Sequence, residues 1–302
     1  MKLSPVRQHR EVRRVALETV EWAARFSLAE NAIELARVRS IRVGELAAYT
    51  FSREKVEVVQ LGADLITWLF LFDDAVGEAP AHMTEAEHRR VLDSYARVIR
   101  DRHLPAQSTA FHHALLDLVT RALQLGASAD WLARFAHDMT DYFAGCADES
   151  QYRRNGRAPS VAAYRELRRQ TVGTSPVFAI IELGVSGMVD SAEMARPDVV
   201  EARAIAALLT AWVNDVYSFP KEAAAQDPLN LVITLANEYQ LDVREALEQA
   251  VEVYNLDLLE LERIIDEVRA TCPSDALMGY LQGLLEWVHG NRIWTRLCGR
   301  YF

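Results

Sequence analysis

The chain is short of the residues that punctuate sheet-rich folds or staple small ones. Its 302 residues include only 3 Cys, 9 Pro and 13 Gly, too few and too scattered for a β fold with many tight turns. Cys146, Cys272 and Cys298 form neither an even disulfide set nor a CxxC or Cys/His metal spacing, so they read as small buried hydrophobes in a reducing cytoplasm. Positive charge is short as well: 33 Lys+Arg stand against 43 Asp+Glu, a formal net charge of −10. That balance leaves no basic face for a phosphate backbone and excludes nucleic acid as a partner. The longest strongly apolar run, Leu65 to Phe72, is far below the ~20 residues that a membrane-spanning helix needs. The basic start MKLSPVRQHREVRR is not followed by an apolar stretch and is no signal peptide. A cytoplasmic protein with no membrane partner is the expectation.

What the chain does have is helix-forming residues in helical period. Half of it is hydrophobic and a quarter charged, as in globular proteins with a large core, and Ala, Leu, Glu and Arg dominate. The period predicts helices over about His9 to Phe26, Arg53 to Val76, Thr84 to Arg102, Ser108 to Leu125, from Ser128 past Phe143, from Ser160 through YRELRRQTVGTSPVFAIIELG, Ala192 to Glu222, Asn230 to Glu238, Asp242 to Arg269 and from Ser274 to the end. Thr84 with Glu87 and Asp242 with Glu245 read as capping boxes. No linker, repeat or low-complexity tract divides the chain, so residues 1–302 read as one all-α bundle of about ten to twelve helices. The helix that ends in LITWLFLF is apolar on all sides and must be central.

Two places set polar groups against the most apolar helices. In Phe72-Asp73-Asp74-Ala75-Val76-Gly77-Glu78, Asp74 and Glu78 lie about 40° apart around the axis, with Asp73 on the adjacent stripe. Acids at the C-terminal end of a buried helix oppose its dipole and call for a cation, unless they form a solvated end before a turn at Gly77 and Pro80. In NDVYSFPKE, Asn214, Ser218 and Glu222 recur every four residues, so an amide oxygen, a hydroxyl and a carboxylate share one face after the apolar run AIAALLTAWV. An oxygen-only set carrying one charge suits Mg²⁺, whereas zinc would want His or Cys. The alternative is an exposed polar stripe on an amphipathic helix.

These residues resemble the class I terpene synthases, in particular the bacterial sesquiterpene cyclases. DDAVGE looks like that family's aspartate-rich motif, and NDVYSFPKE fits its (N/D)Dxx(S/T)xx(K/R)E motif at every position. Arg168-Arg169-Gln170-Thr171-Val172-Gly173 is similar to the segment that carries the family's diphosphate-sensing arginine, and the terminal Arg300-Tyr301 matches its Arg-Tyr pair. The resemblance implies a helical bundle around an apolar cavity in which a prenyl diphosphate, most simply farnesyl diphosphate, is ionised and cyclised. It implies three Mg²⁺ ions, with Asp73 as ligand on one side, Asn214, Ser218 and Glu222 on the other, and Glu78 as a further acid one place later than usual. Asp74 is expected to pair with an arginine. By the spacing to the helix-break glycine, the sensor is Arg169, the linker Val172 and the effector Gly173. Arg169, Lys221, Arg300 and Tyr301 would hold the diphosphate.

An allylic cation also needs a dry wall that stabilises charge without offering a nucleophile, which aromatic faces provide. Phe70, one turn ahead of Asp73, and Trp294, shortly before Arg300, are the first candidates for that wall; Trp68, Phe72, Phe178 and Trp212 follow, each with core packing as the plainer reading. His289, His112 and His113 are not assigned as bases. The rivals are the same chemistry on geranyl or geranylgeranyl diphosphate, a chain-elongating prenyltransferase and a non-catalytic isoprenoid-binding module. A monomer or a homodimer is expected.

Overall fold

Helix starts in this chain are set by side chains that satisfy the free amides of the first turn. Thr84 and Asp242 form reciprocal capping boxes with Glu87 and Glu245, as their spacing predicts. Ser128, Ser160, Asn230 and Ser274 accept from amides two or three residues on. The computed structural model describes residues 7–77, 83–185 and 188–300. Among them run α1 (Val12–Arg25), α2 (Ala32–Ile41), α3 (Val43–Thr50), α4 (Val56–Phe72), α5 (Glu85–Asp101), α6 (Ala110–Gln124), α7 (Ala129–Asn155), α8 (Val161–Thr171), α9 (Ser175–Gly184), α10 (Ser191–Met194), α11 (Pro197–Ala224), α12 (Leu231–Tyr239), α13 (Val243–Ala270) and α14 (Asp275–Thr295). There is no strand among the described residues, and the fold is all-α.

The helix count among the described residues exceeds the ten to twelve expected because two stretches break, while two short segments are expected before α4 and found as α2 and α3. The segment that reads as one helix after Ser160 divides into α8 and α9 at Gly173, whose φ of +70° leaves the helical region. The stretch from Ala192 divides at Pro197, which takes the first turn of α11. Arg42 in the left-handed region separates α2 from α3.

α4 is the central helix: every residue from Val58 to Leu69 is buried. Its outer flank packs on aromatic neighbours, with Trp68 stacked on Phe72 at 4.4 Å and set edge-on to Tyr95 at 6.1 Å. The Trp68 indole N–H donates to the Phe111 carbonyl at 3.0 Å. Burying a ring of this size contributes roughly 1.5–3 kcal/mol, and Trp68, Phe72, Phe178 and Trp212 are each fully enclosed. These four, the secondary candidates for a cavity wall, are core residues instead. Asp64, buried within the bundle, accepts from Arg121 at 2.7 Å and Gln60 at 2.9 Å.

Candidate active site

At its C-terminal end α4 widens into a single π-turn, Asp73–Gly77, a distortion common where helices carry function. The turn sets Asp73 and Asp74 at the mouth of a cavity of about 650 Å³. Arg300 reaches both acids, 3.2 Å from each Asp74 oxygen and 3.5 Å from Asp73, while Arg37 adds a 3.0 Å pair to Asp74. Asp74 thus has the arginine partner expected of it, twice over. Burial pushes the Asp73 carboxyl up to about 6, Arg300 pulling the other way and Glu149 and Asp74 adding to the rise. Nearly half of that side chain (46 %) still opens into the cavity, where water moderates the push.

Across the cavity, α11 presents Asn214, Ser218 and Glu222 on one face. The Ser218 hydroxyl donates back to the Asn214 carbonyl at 2.8 Å, which spends its proton within the helix. Glu222 accepts from the Asn230 amide at 2.7 Å, and the same amide donates to the Asp215 carbonyl at 2.7 Å. Burial raises the Glu222 carboxyl above its ordinary range, with the nearby Asp215 charge adding to it. Asp215 itself faces away from this set, held by Arg168 at 2.8 Å, the Tyr164 hydroxyl at 2.7 Å and the Leu231 amide at 3.0 Å.

Two groups of oxygen donors, from the end of α4 and from α11, therefore line one cavity, with Asp73 and Glu222 each pushed up by burial. An amide, a hydroxyl and carboxylates suit a hard divalent cation. Among the described residues no three His, Cys, Asp or Glu side chains converge as a metal site of the zinc type would require. Glu78 and Tyr301 lie outside the described residues.

The structure departs from the sequence expectation at the sensor arginine. Successive helical residues point about 100° apart, so only one of Arg168 and Arg169 can face inward. Arg168 does: it lines the cavity with Thr171, Val172 and Gly173, touches Asn214 at 3.2 Å and stands 3.8 Å from Glu149. Arg169 is a third exposed and pairs with Glu166 at 3.4 Å and Glu201 at 4.0 Å on the outer side. Val172 and Gly173, the expected linker and effector, line the cavity as well; of the three residues only Arg169 does not. Gly173 ends the helix against Tyr142; a Cβ there would sit 3.5 Å from that ring.

The wall changes character inward. Arg37, Arg153, Lys221 and Arg300 join the acids at the charged end. Leu46, Ile66, Leu69 and Val177 line the apolar part together with aromatic rings. Phe70 and Trp294, both expected there, stack at 5.7 Å, and the Arg300 guanidinium lies 4.8 Å over the Phe70 ring. Sequence reasoning missed Tyr142, Glu149 and Arg153 on α7 and Trp287 and Asn291 on α14, all of which line the cavity. The α7 set recurs at helical spacing, so its shared face was available in the sequence; nothing marked that face as a site rather than core.

Residues 64–256 match the family described as terpene synthase family 2, C-terminal metal binding, and the chain belongs to that family. It is 28% identical to germacrene A synthase of Nostoc punctiforme over 94% of this chain and 88% of that one. It is 29% identical to a (+)-T-muurolol synthase of Roseiflexus castenholzii that cyclises farnesyl diphosphate, over 94% and 87% of the two chains. The fold superposes with a TM-score of 0.87 on linalool/nerolidol synthase from Streptomyces clavuligerus, at 22% identity and covering 98% and 100% of the chains. No helix among the described residues is long and apolar enough to cross a membrane.

Proposed function

We propose that the protein is a Mg²⁺-dependent sesquiterpene cyclase that ionises farnesyl diphosphate, closes the cation into a cyclic C15 hydrocarbon or alcohol and releases diphosphate. One observation carries the reading: one cavity of about 650 Å³ is lined by apolar and aromatic side chains, by the two sets of oxygen donors and by arginines. That volume lies within the range of pockets that enclose one small-molecule ligand. The charge pattern fits an amphipathic substrate, with the anionic head at the mouth and the hydrocarbon chain inside.

Asp73 on one side, with Glu78, and Asn214, Ser218 and Glu222 on the other are the residues that would hold three Mg²⁺ ions. Bound Mg²⁺ supplies neutralisation of the charge that grows on the leaving diphosphate. Arg168, Lys221 and Arg300, which line the cavity, would orient that group by hydrogen bonds placed where negative charge develops, with Tyr301 joining them by its place in the sequence motif. Arg168, rather than Arg169, takes the sensing place, because it already joins the cavity wall to the metal-side helix through Asn214 and Asp215. Phe70, Trp294 and Trp287 then face the cation with aromatic surfaces, each worth about 0.5–2 kcal/mol when well placed. Side chains of this kind offer no nucleophile, so the wall protects the cation from capture.

Incubation of the purified protein with geranyl, farnesyl and geranylgeranyl diphosphate, with and without Mg²⁺, tests this by gas chromatography and mass spectrometry. A cyclic C15 product from farnesyl diphosphate only with Mg²⁺ is the expected result. A longer prenyl diphosphate would point to chain elongation, and binding without turnover to a non-catalytic module; either would sink the proposal.

A further inference from the structure

Thr210 lies on α11 one turn before Asn214, about 6 Å further along the axis, and it lines the same cavity. A hydroxyl in an apolar wall costs free energy unless it is hydrogen-bonded, and this one is bonded twice. It donates to the Ala206 carbonyl at 3.1 Å and accepts the indole N–H of Trp287 at 2.9 Å. Trp287, on α14, is 2 % exposed and also lines the cavity. Its other ring contacts are with Phe51 at 6.4 Å and Phe178 at 6.1 Å. Those aromatic contacts are broad and tolerate sliding, whereas an N–H to hydroxyl bond is directional.

The second tryptophan on this face of α14 is held differently. Trp294 donates to the backbone carbonyl of Ile41 at 2.8 Å, an acceptor that no substitution removes. The indole N–H of Trp287 is held by a side chain, the Thr210 hydroxyl. A cation interacts favourably with the face of an indole and unfavourably with its edge, so the tilt of this ring decides which carbon of a folded chain is stabilised. We infer that Thr210 is a positioning residue that selects the product by fixing the orientation of Trp287. The inference rests on the reading of the cavity as a cyclisation chamber.

Wild type, Thr210→Val, Thr210→Ser and Trp287→Phe are incubated with farnesyl diphosphate and Mg²⁺, with diphosphate release and product ratios measured for each. In parallel, ¹⁵N-indole-labelled protein without substrate is compared by NMR. Thr210→Val nearly keeps the side-chain volume and removes the hydroxyl, and with it both the acceptor for Trp287 and the bond to the Ala206 carbonyl. It should displace one indole resonance and shift the ratio of major to minor products by roughly fivefold or more, further than it changes total turnover. Thr210→Ser keeps the acceptor and should retain both the resonance and the profile; Trp287→Phe should disturb the profile as Thr210→Val does. A profile unchanged by Thr210→Val, or one altered equally by Thr210→Ser, overturns the inference and leaves cyclisation standing. Absence of product from the wild type overturns the chamber itself and this inference with it.

Discussion

Arg300 grips Asp74 with both terminal guanidinium nitrogens, each 3.2 Å from a different carboxylate oxygen, across 226 positions of sequence. The same fork is shaped to bind phosphate oxygens in two-pronged fashion, so the residue that bridges the acids at the mouth is also equipped to receive the leaving group. Arg300→Gln should lower kcat/KM for farnesyl diphosphate by about 10²–10³ while the circular dichroism stays that of the wild type. Arg300→Lys, which keeps the charge and loses the fork, should fall between. Steady-state kinetics within threefold of wild type for Arg300→Gln would remove Arg300 from the substrate site.

The neighbouring arginines of α8 give a sharper contrast. Arg168 is locked against Asp215 inside the protein, and breaking a buried pair from one side costs about 3–5 kcal/mol. Arg169 makes exposed pairs worth at most about 1 kcal/mol. Arg169→Ala should therefore keep turnover within about threefold of wild type, since a surface pair carries little. Arg168→Lys, which spares the charge for folding, should lose most turnover. A folded Arg169→Ala protein without activity would return the sensing role to Arg169.

That one-residue difference shows where sequence reading stops. The all-α class, the caps of α5, α7, α8, α12, α13 and α14 and the shared face of Asn214, Ser218 and Glu222 follow from period and residue type, which are local properties. The choice between Arg168 and Arg169 depends on how α8 is rotated about its own axis. Contacts between Arg168 and Asp215, and between Arg165 and Asp257 at 3.1 Å, set that rotation from other helices. Trp68 and Phe70, both aromatic residues of α4, divide as the register to Asp73 predicts, one turned to the core and the other to the cavity. Their ring partners, Phe111 on α6 and Trp294 on α14, come from other helices and were not legible in α4 alone.

Asn230 was not singled out in the sequence, yet it is wholly buried and its one amide group holds both Glu222 and the Asp215 carbonyl, at 2.7 Å each. Groups that orient a metal ligand typically carry 10- to 100-fold in metal affinity. Asn230→Ser should retain a cap for α12 and lose the reach to Glu222. The Mg²⁺ concentration for half-maximal turnover should then rise by about that factor, more than kcat at saturating Mg²⁺ falls. Urea unfolding should report a loss of about 1–3 kcal/mol from the unpaired acceptors. An unchanged Mg²⁺ requirement would confine Asn230 to a structural role.

His112 makes stability depend on pH in a defined direction. Its ring stacks on Tyr95 at 3.8 Å; Nδ1 accepts from the Thr109 amide at 3.1 Å and Nε2 lies 2.8 Å from the Ser94 hydroxyl. Ser94 donates its own proton to the Val91 carbonyl, so the network uses the neutral ring with its proton on Nε2. Burial, with a smaller push from His113, lowers the pKa to about 4 from 6.5. Between those values the unfolded chain binds more protons than the folded one, so the contribution of His112 is complete above pH 6.5 and is lost as the pH falls towards 4. Asp64 acts oppositely: burial raises it from 3.8 to about 6, so its contribution is complete below 3.8 and is lost as the pH rises through 6. The histidine is isolated by comparing wild type with His112→Gln in urea at pH 7 and pH 5. The stability advantage of the wild type should shrink by up to about 2 kcal/mol at the lower pH. An advantage equal at both pH values would mean that the folded protein accepts the charged ring.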